Sequence, residues 1–252
     1  LDALVALGLV RKNGGTYNNQ PLAGEFLVRG KPVYLGRWLQ LTNESWVDCL
    51  RQLPDLIRSG PPAVSPGAHM HTEEACERFT AAHAATSLAG IARGIADLIA
   101  TLPGFAEHRR MLDLGGGPGI NAMAVIERHE VLRAVVLDRP EIVDMARRYA
   151  GQYGFLERIE FIGGDYFTSA MEPGYDLIMA TDTLYYDAHE IDSVIERCAR
   201  ALVPGGMLVT IHAVLTHDRT QPEQMVLGML PEALAGQASL PDKGFLVHAM
   251  ES

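Results

Sequence analysis

Four glycines follow directly on a short apolar run in the stretch MLDLGGGPGIN, Met111 to Asn121. The apolar run carries one acid, Asp113. Glycine allows a sharp backbone turn and has no Cβ atom to keep a ligand away from the main chain. A loop of this kind after a strand therefore predicts that a ligand approaches the backbone closely at Gly115 and Gly117.

Acids also stand at the ends of two further apolar runs. VVLDRP carries Asp138, and FIGGDYF carries Asp165, followed by Tyr166 and Phe167. A carboxylate such as that of Asp138 can accept hydrogen bonds from both hydroxyls of a ribose. Asp165 can accept from an exocyclic amine, and the two aromatic rings can lie against a flat base. Together with the glycines, these segments predict a pocket for adenosine.

The elements that must position these residues are strands that alternate with helices from Arg110 onwards. The β-type runs are RMLDLG, RAVVLD, IEFIGGD, YDLIMATDTL and GMLVTIH. This alternation is typical of βαβ units in a parallel sheet. Several runs are apolar without alternation, as in strands covered on both faces. Ligands bind such sheets at the carboxyl ends of the strands, so we expect the acids and glycines to gather there.

The first part of the chain has a different pattern. LDALVALGLVRKNGGTYNN begins within a helical period that stops at Gly8, and two strand-like runs follow around Gly14 and Gly15. This arrangement resembles the second half of a winged helix, truncated at its start. Residues 36–101 have a helical period, interrupted at 59–69 by the loop SGPPAVSPGAH. We predict a mostly helical winged-helix dimerisation domain over 1–104 and an α/β domain over 105–252.

Composition narrows the classes of partner. The 252 residues carry a formal net charge of -10, which repels nucleic-acid backbones and anionic lipid surfaces. The helix before the wing has only Asp2 as a charged side chain, which is unsuited to reading DNA bases. The three cysteines lie far apart without paired spacing, and neither a membrane-length apolar run nor a signal peptide is found. We predict a cytoplasmic protein with no nucleic-acid or membrane partner.

A metal site is not expected. His69 and His71 stand near Glu73, Glu74 and Cys76, but a loop beside a helix start collects such residues without binding an ion.

The glycine loop could also be interpreted as a binding site for one of two phosphate-containing ligands. A nucleoside triphosphate is disfavoured because no Lys-Ser or Lys-Thr pair follows the glycines. The relaxed dinucleotide fingerprint is satisfied by Gly117 to Ala122, with Asp138 about where its ribose acid belongs. Asp113 would oppose a pyrophosphate but suits the ammonium of a methionine-type ligand. A purely structural interpretation, with tight-turn glycines and solvated acids, also stays open.

At this point the chain resembles a known family. LDLGGGPG, LD, GD, YDLIMATDTL and ALVPGGMLVTIH, in this order, are similar to the class I S-adenosylmethionine-dependent methyltransferases. The preceding helices and wing resemble the plant-type small-molecule O-methyltransferases. The resemblance implies a Rossmann-like sheet flanked by helices, S-adenosylmethionine as cofactor, a homodimer and a small-molecule acceptor.

The resemblance also implies roles for residues at the strand ends. Asp113, Gly115 and Gly117 would hold the methionine end of the cofactor, and Asp138 its ribose. Asp165, Tyr166 and Phe167 would hold the adenine. The family carries a basic residue where this chain has Thr181 or Asp182, and Thr181 is also predicted to bind the cofactor.

The proton-accepting residues depart from the family pattern. In the family, a histidine after the fourth strand takes the proton from the acceptor hydroxyl, whereas DTLYYDAHE places Tyr185 there. TIHAVL places His212 after the fifth strand, where the family often carries an acid. We predict that His212 is the general base, because its ordinary pKa lies near neutrality, and that Tyr185 orients the acceptor.

Several alternatives stay open beside this O-methyltransferase. The alternative for His212 is a histidine that lines the site without a proton role. An S- or N-methyltransferase would need no general base, and a non-catalytic regulatory protein would bind the cofactor alone. At the C-terminal end, GFLVHAME is the only run that could supply one of the family's closing strands.

Overall fold

The computed structural model describes residues 1–60, 72–184, 190–234 and 240–251. The first helices and strands have the following bounds: α1 (Asp2–Ala6), β1 (Val10–Asn13), β2 (Thr16–Asn19), α2 (Pro21–Phe26) and α3 (Gly36–Ser59). β1 and β2 form an antiparallel hairpin in which Val10 pairs with Asn19. Its turn lies on Gly14 and Gly15, with φ of 52° and 90°, a backbone region that favours glycine. The predicted stop at Gly8 and the two short strands are therefore present.

Helices dominate up to the start of the sheet. α4 (Glu73–Thr86) packs on α3 and is capped by Thr72, whose hydroxyl accepts a 3.1 Å hydrogen bond from the Ala75 amide. A π-helical turn, Ser87–Ile91, separates α4 from α5 (Ala92–Ile99). Gly90 has a φ of 145° in that turn, which breaks the helical run into two. Most of the loop predicted at 59–69 lies outside the described residues.

The α/β part contains a five-stranded parallel sheet of order β5-β4-β3-β6-β7. The strands are β3 (Arg110–Leu114), β4 (Arg133–Asp138), β5 (Ile159–Gly163), β6 (Tyr175–Thr181) and β7 (Leu202–Ile211). They are connected through α6 (Ile120–Glu127), α7 (Pro140–Tyr153) and α8 (Ile191–Ala201), except between β5 and β6. All five predicted strands are present, and the predicted Rossmann-like α/β class is confirmed.

Two apolar clusters cover the two faces of the sheet. One joins the sheet to α5, α6 and α7, and the other joins it to α8. Leu112 and Ile178, in neighbouring strands, are 1% and 0% exposed, which explains their unbroken apolar runs. The chain changes direction at the carboxyl ends of the strands, and the acids and glycines of the sequence follow those ends.

Three short helices follow the sheet: α9 (Glu223–Gly228), α10 (Leu230–Leu234) and α11 (Phe245–Glu251). The run GFLVHAME does not form a strand, because α11 occupies it. Leu246 is buried there against α8, with Phe245 and Ala249 beside it at helical spacing. Among the described residues, no helix is both long and apolar enough to cross a bilayer.

Candidate functional site

The glycine loop between β3 and α6 has a left-handed backbone. Gly115, Gly117 and Gly119 have φ of 64°, 54° and 72°. A Cβ atom at Gly115 would lie 2.5 Å from Cγ2 of Thr183, whereas one at Gly117 would meet nothing within 4 Å. Gly115 is thus required by packing, and Gly117 borders open space in which a ligand can approach the main chain.

Gly115→Ala is expected to destabilise the protein more than Gly154→Ala. Both glycines have positive φ, which costs an alanine about 1–2 kcal/mol, but only the new methyl group at residue 115 meets a buried side chain. Overpacking adds about 1–3 kcal/mol. Urea unfolding of both variants measures the difference, and equal losses would contradict this account of the loop.

Asp138 holds the glycine loop from the end of β4. Its Oδ2 accepts a 2.8 Å hydrogen bond from the Gly117 amide, and its Oδ1 accepts a 2.7 Å bond from the Arg139 amide. The side chain is buried, which raises its pKa, while the two amides and the Arg139 guanidinium oppose that rise. The carboxylate is therefore held in one orientation beside the open side of the loop.

Asp113 lies beneath the same loop, with 1% of its surface exposed. Burial, reinforced by the charge of Asp138, raises its pKa to about 7, although the Ala122 amide opposes the shift. Within the described part of the chain, its Oδ2 has no hydrogen-bond partner. A buried carboxyl oxygen of this kind can accept a hydrogen bond from a ligand ammonium, as the sequence predicts.

The loop after β5 carries the predicted adenine-binding residues. The exposed Asp165 accepts a 2.8 Å hydrogen bond from the Phe167 amide, so its carboxylate shapes the turn. The Tyr166 and Phe167 rings lie 4.5 Å apart between centroids. The Tyr166 hydroxyl donates a 3.2 Å hydrogen bond to the Thr183 carbonyl, which ties this loop to the end of β6.

Arg197 on α8 braces the same loop and was missed in the sequence. Its guanidinium donates to the Tyr166 carbonyl and, at 2.6 Å, to the Phe167 carbonyl. No local signal marks this contact, because a lone arginine on an amphipathic helix is typical of a solvent-facing position.

Thr183 is a second residue that sequence reasoning missed. Its hydroxyl lies 3.1 Å from the Leu114 carbonyl and 3.0 Å from the Thr181 carbonyl, so it joins the carboxyl ends of β3 and β6. Thr181, predicted to bind the cofactor, ends β6 with its hydroxyl buried and lacking a hydrogen-bond partner among the described residues. The two threonines show that this strand end belongs to the same edge as the glycine loop.

His212 directly follows β7 and is half-buried. Burial lowers its pKa, and the nearby Asp182 carboxylate opposes that effect. A histidine with a lowered pKa is neutral at physiological pH and can accept a proton. Tyr185, the other predicted catalytic residue, lies outside the described residues.

The carboxyl ends of the strands thus bring most of the predicted residues to one edge of the sheet. Direct contacts connect Gly117 with Asp138 and, through Thr183, Gly115 with Tyr166. Asp165 and His212 follow β5 and β7 and lie outside the glycine loop, and their roles stay predictions. In the described ranges, no group of three or more His, Cys, Asp or Glu residues is placed to hold a metal ion.

Comparison with known proteins adds a family match to this geometry. A family model for the O-methyltransferase domain matches residues 67–236. The tetracenomycin polyketide synthesis 8-O-methyl transferase TcmO of Streptomyces glaucescens is 30% identical over 236 residues, which are 91% of this chain and 68% of that protein. The N,N-dimethyltransferase OxyT of Streptomyces rimosus is 30% identical over 242 residues, 93% of this chain and 69% of that protein.

A solved structure shows the same fold. Human N-acetylserotonin methyltransferase in complex with S-adenosylmethionine superposes with a TM-score of 0.81 at 24% identity, over 100% of this chain and 74% of that one. The chain therefore spans roughly two thirds to three quarters of the length of these proteins.

Proposed function

We propose, from the premise that this chain belongs to the O-methyltransferase family of class I S-adenosylmethionine-dependent enzymes, that it methylates a hydroxyl group of a small-molecule acceptor. The observation that carries the proposal is the pairing of the Gly117 amide with the Asp138 carboxylate beside open space. That pairing places a rigid acceptor for ribose hydroxyls next to backbone that a ligand can reach.

The residues at this edge fit S-adenosylmethionine. Asp138 would bind its ribose, and the unpartnered oxygen of Asp113 would accept from its ammonium. Asp165, Tyr166 and Phe167 would surround the adenine from a loop that is already braced by Thr183 and Arg197. When bound, the cofactor supplies a methyl group activated by a positively charged sulfur. The protein's own contribution is to hold donor and acceptor in line at attack distance.

A hydroxyl acceptor must also lose its proton, and His212 is proposed to take it. The acceptor oxygen gives its proton to the neutral imidazole and uses the freed electron pair to bond to the methyl carbon. The bound cofactor would supply this methyl group, and the electrons of its carbon–sulfur bond would remain on the sulfur. Burial of His212, which lowers its pKa, keeps the imidazole in the form that this step requires.

An amine acceptor is the second candidate. OxyT, at 30% identity, is an N,N-dimethyltransferase, so the family match extends to a protein named for methylation of nitrogen. Tyr185 stands where the family carries its proton-accepting histidine. A neutral amine can attack a methyl group without prior loss of a proton, which makes a general base dispensable.

Calorimetry followed by a methyl-transfer screen tests the proposal. We expect S-adenosylmethionine and S-adenosylhomocysteine to bind and NAD not to bind. The screen then offers hydroxyl, amine, thiol and thioether acceptors. Transfer to a hydroxyl supports the first candidate, and transfer to an amine alone supports the second. Binding without transfer indicates a non-catalytic regulator, and absence of S-adenosylhomocysteine binding would overturn the cofactor site itself.

A homodimer is proposed on the strength of the apolar surface of α3. Leu39, Leu50 and Ile57 are 51%, 56% and 73% exposed on this 24-residue helix. Water-exposed apolar side chains on one long helix are typical of an interface with another chain. The division into domains 1–104 and 105–252, the winged-helix assignment and a cytoplasmic location belong to the same proposal.

We expect light scattering at micromolar concentration to give about twice the monomer mass of 27.4 kDa. Leu50→Asp should shift the mass towards the monomer, because it places a charge within the proposed interface. Leu156→Asp is a matched control, since Leu156 is 47% exposed on the α/β part of the chain. A monomer in the unmodified protein, or an equal response to both substitutions, would contradict the interface on α3.

A further inference from the structure

The ends of β6 and β7 are joined on both sides of His212. The Asp182 amide donates a 2.8 Å hydrogen bond to the Ile211 carbonyl. The Asp182 carboxylate accepts a 3.2 Å hydrogen bond from the Ala213 amide. Ile211 and Ala213 are the chain neighbours of His212, so a single residue holds the backbone before and after the imidazole.

The backbone of Asp182 is itself unusual. Its φ is 49°, in the left-handed region that residues other than glycine seldom adopt. Aspartate tolerates this region better than most residues, yet the conformation still has a free-energy cost. Such local strain persists where surrounding contacts hold it, and it is concentrated at functional sites. Here the strained residue is the one that makes both contacts around His212.

The same carboxylate is the charged neighbour of the imidazole. Among the described residues, Asp182 on the β6 side is the ionisable group that acts on His212, and it favours the protonated imidazole. Burial acts in the opposite direction. A nearby carboxylate can stabilise the positive charge that forms when the ring takes a proton.

We propose that Asp182 is a positioning residue that fixes the end of β7, and with it the His212 imidazole, for acceptance of the acceptor's proton. The inference rests on the proposed function for the identity of the reaction. In that reaction the proton leaves the acceptor oxygen for His212, and the adjacent Asp182 carboxylate balances the resulting charge. Asp182 itself gains and loses no proton.

Two substitutions separate the charge of Asp182 from its hydrogen bond. Asp182→Asn keeps an oxygen that can accept from the Ala213 amide but removes the negative charge, whereas Asp182→Ala removes both. Asp192→Asn removes one charge from an exposed position on α8 and serves as the matched control.

The measurement is an NMR pH titration of the imidazole signals of ¹³C-histidine-labelled protein, with and without S-adenosylhomocysteine. The chain has nine histidines, and the signal missing from His212→Gln identifies residue 212. We expect the His212 pKa to be lower in Asp182→Asn than in the unmodified protein, because a charge that favours the imidazolium is lost. Asp192→Asn should leave it unchanged. In ¹⁵N-labelled Asp182→Ala the Ala213 amide signal should also move, since its acceptor is gone.

Turnover gives a second, independent outcome once the screen has provided a hydroxyl acceptor. Asp182→Asn should lower kcat by less than the roughly 10²- to 10⁴-fold expected for losing the base, and should move the acid limb of the pH profile to lower pH.

An unchanged His212 pKa in Asp182→Asn would overturn the positioning role, even where Asp182→Ala does not fold. Failure of S-adenosylhomocysteine to bind would instead overturn the proposed function, because the titration of the free protein tests the pair by itself.

Discussion

His212→Ala is expected to lower kcat for a hydroxyl acceptor by roughly 10²- to 10⁴-fold, the range for loss of a general base, with S-adenosylhomocysteine affinity nearly unchanged. The selective loss follows from its position after β7, whereas the Gly117 and Asp138 pair lies at the ends of β3 and β4. Steady-state kinetics and calorimetry on the same variant measure the two quantities. His248→Ala, on the exposed side of α11, is the matched control.

The pH profile of kcat checks the same role. The imidazole accepts a proton only when neutral, so turnover should rise with pH as His212 deprotonates and then level off. Because burial lowers its pKa, this limb lies below about pH 6.5, the ordinary value for histidine. The profile must therefore extend down to about pH 4.5 to include it. A limb that survives unchanged in His212→Ala would contradict the assignment, and a small loss of kcat would favour the amine acceptor.

Asp138→Ala is expected to weaken S-adenosylhomocysteine binding by about 1.5–3 kcal/mol, or roughly 10- to 150-fold. The substitution removes the proposed acceptor for the ribose hydroxyls. It also leaves the amides of Gly117 and Arg139 without their carboxylate partner. The loop is then free to leave the conformation that borders the open space.

Calorimetry with S-adenosylhomocysteine measures this loss. Asp144→Asn, a charge removed from an exposed position on α7, is expected to bind normally. Unchanged affinity in Asp138→Ala would remove the ribose assignment, and with it the main support for the proposed function.

The sequence was sufficient for the parts of the fold that depend on local pattern. The strands β4 and β6 contain continuous apolar runs because both faces of the sheet are covered. The parallel strands bring the acids that follow them to one edge of the sheet. For this reason the sequence alone predicts that Asp138 lies near Gly117.

The contacts that could not be predicted join residues that are far apart in the chain. Asp182 meets Ala213 and Thr183 meets Leu114 only after β6 has been inserted between β3 and β7. Strand order depends on tertiary packing, so no local pattern marks these residues. The expected strand at GFLVHAME is absent for a related reason. Its short apolar stretch is compatible with a helix or a strand, and packing against α8 favours the helix.

The two backbone contacts of Asp138 also determine how a ligand would be received. Both carboxylate oxygens are already held by amides of the protein, at 2.8 and 2.7 Å. Ordering a mobile side chain on binding usually costs about 0.5–1.5 kcal/mol of binding free energy. For Asp138 this ordering has already occurred during folding. The carboxylate is therefore preorganised for a ligand, and ordering it does not reduce the affinity. Stability of the glycine loop and affinity at the proposed ribose position should therefore change together, because both depend on the Asp138 side chain.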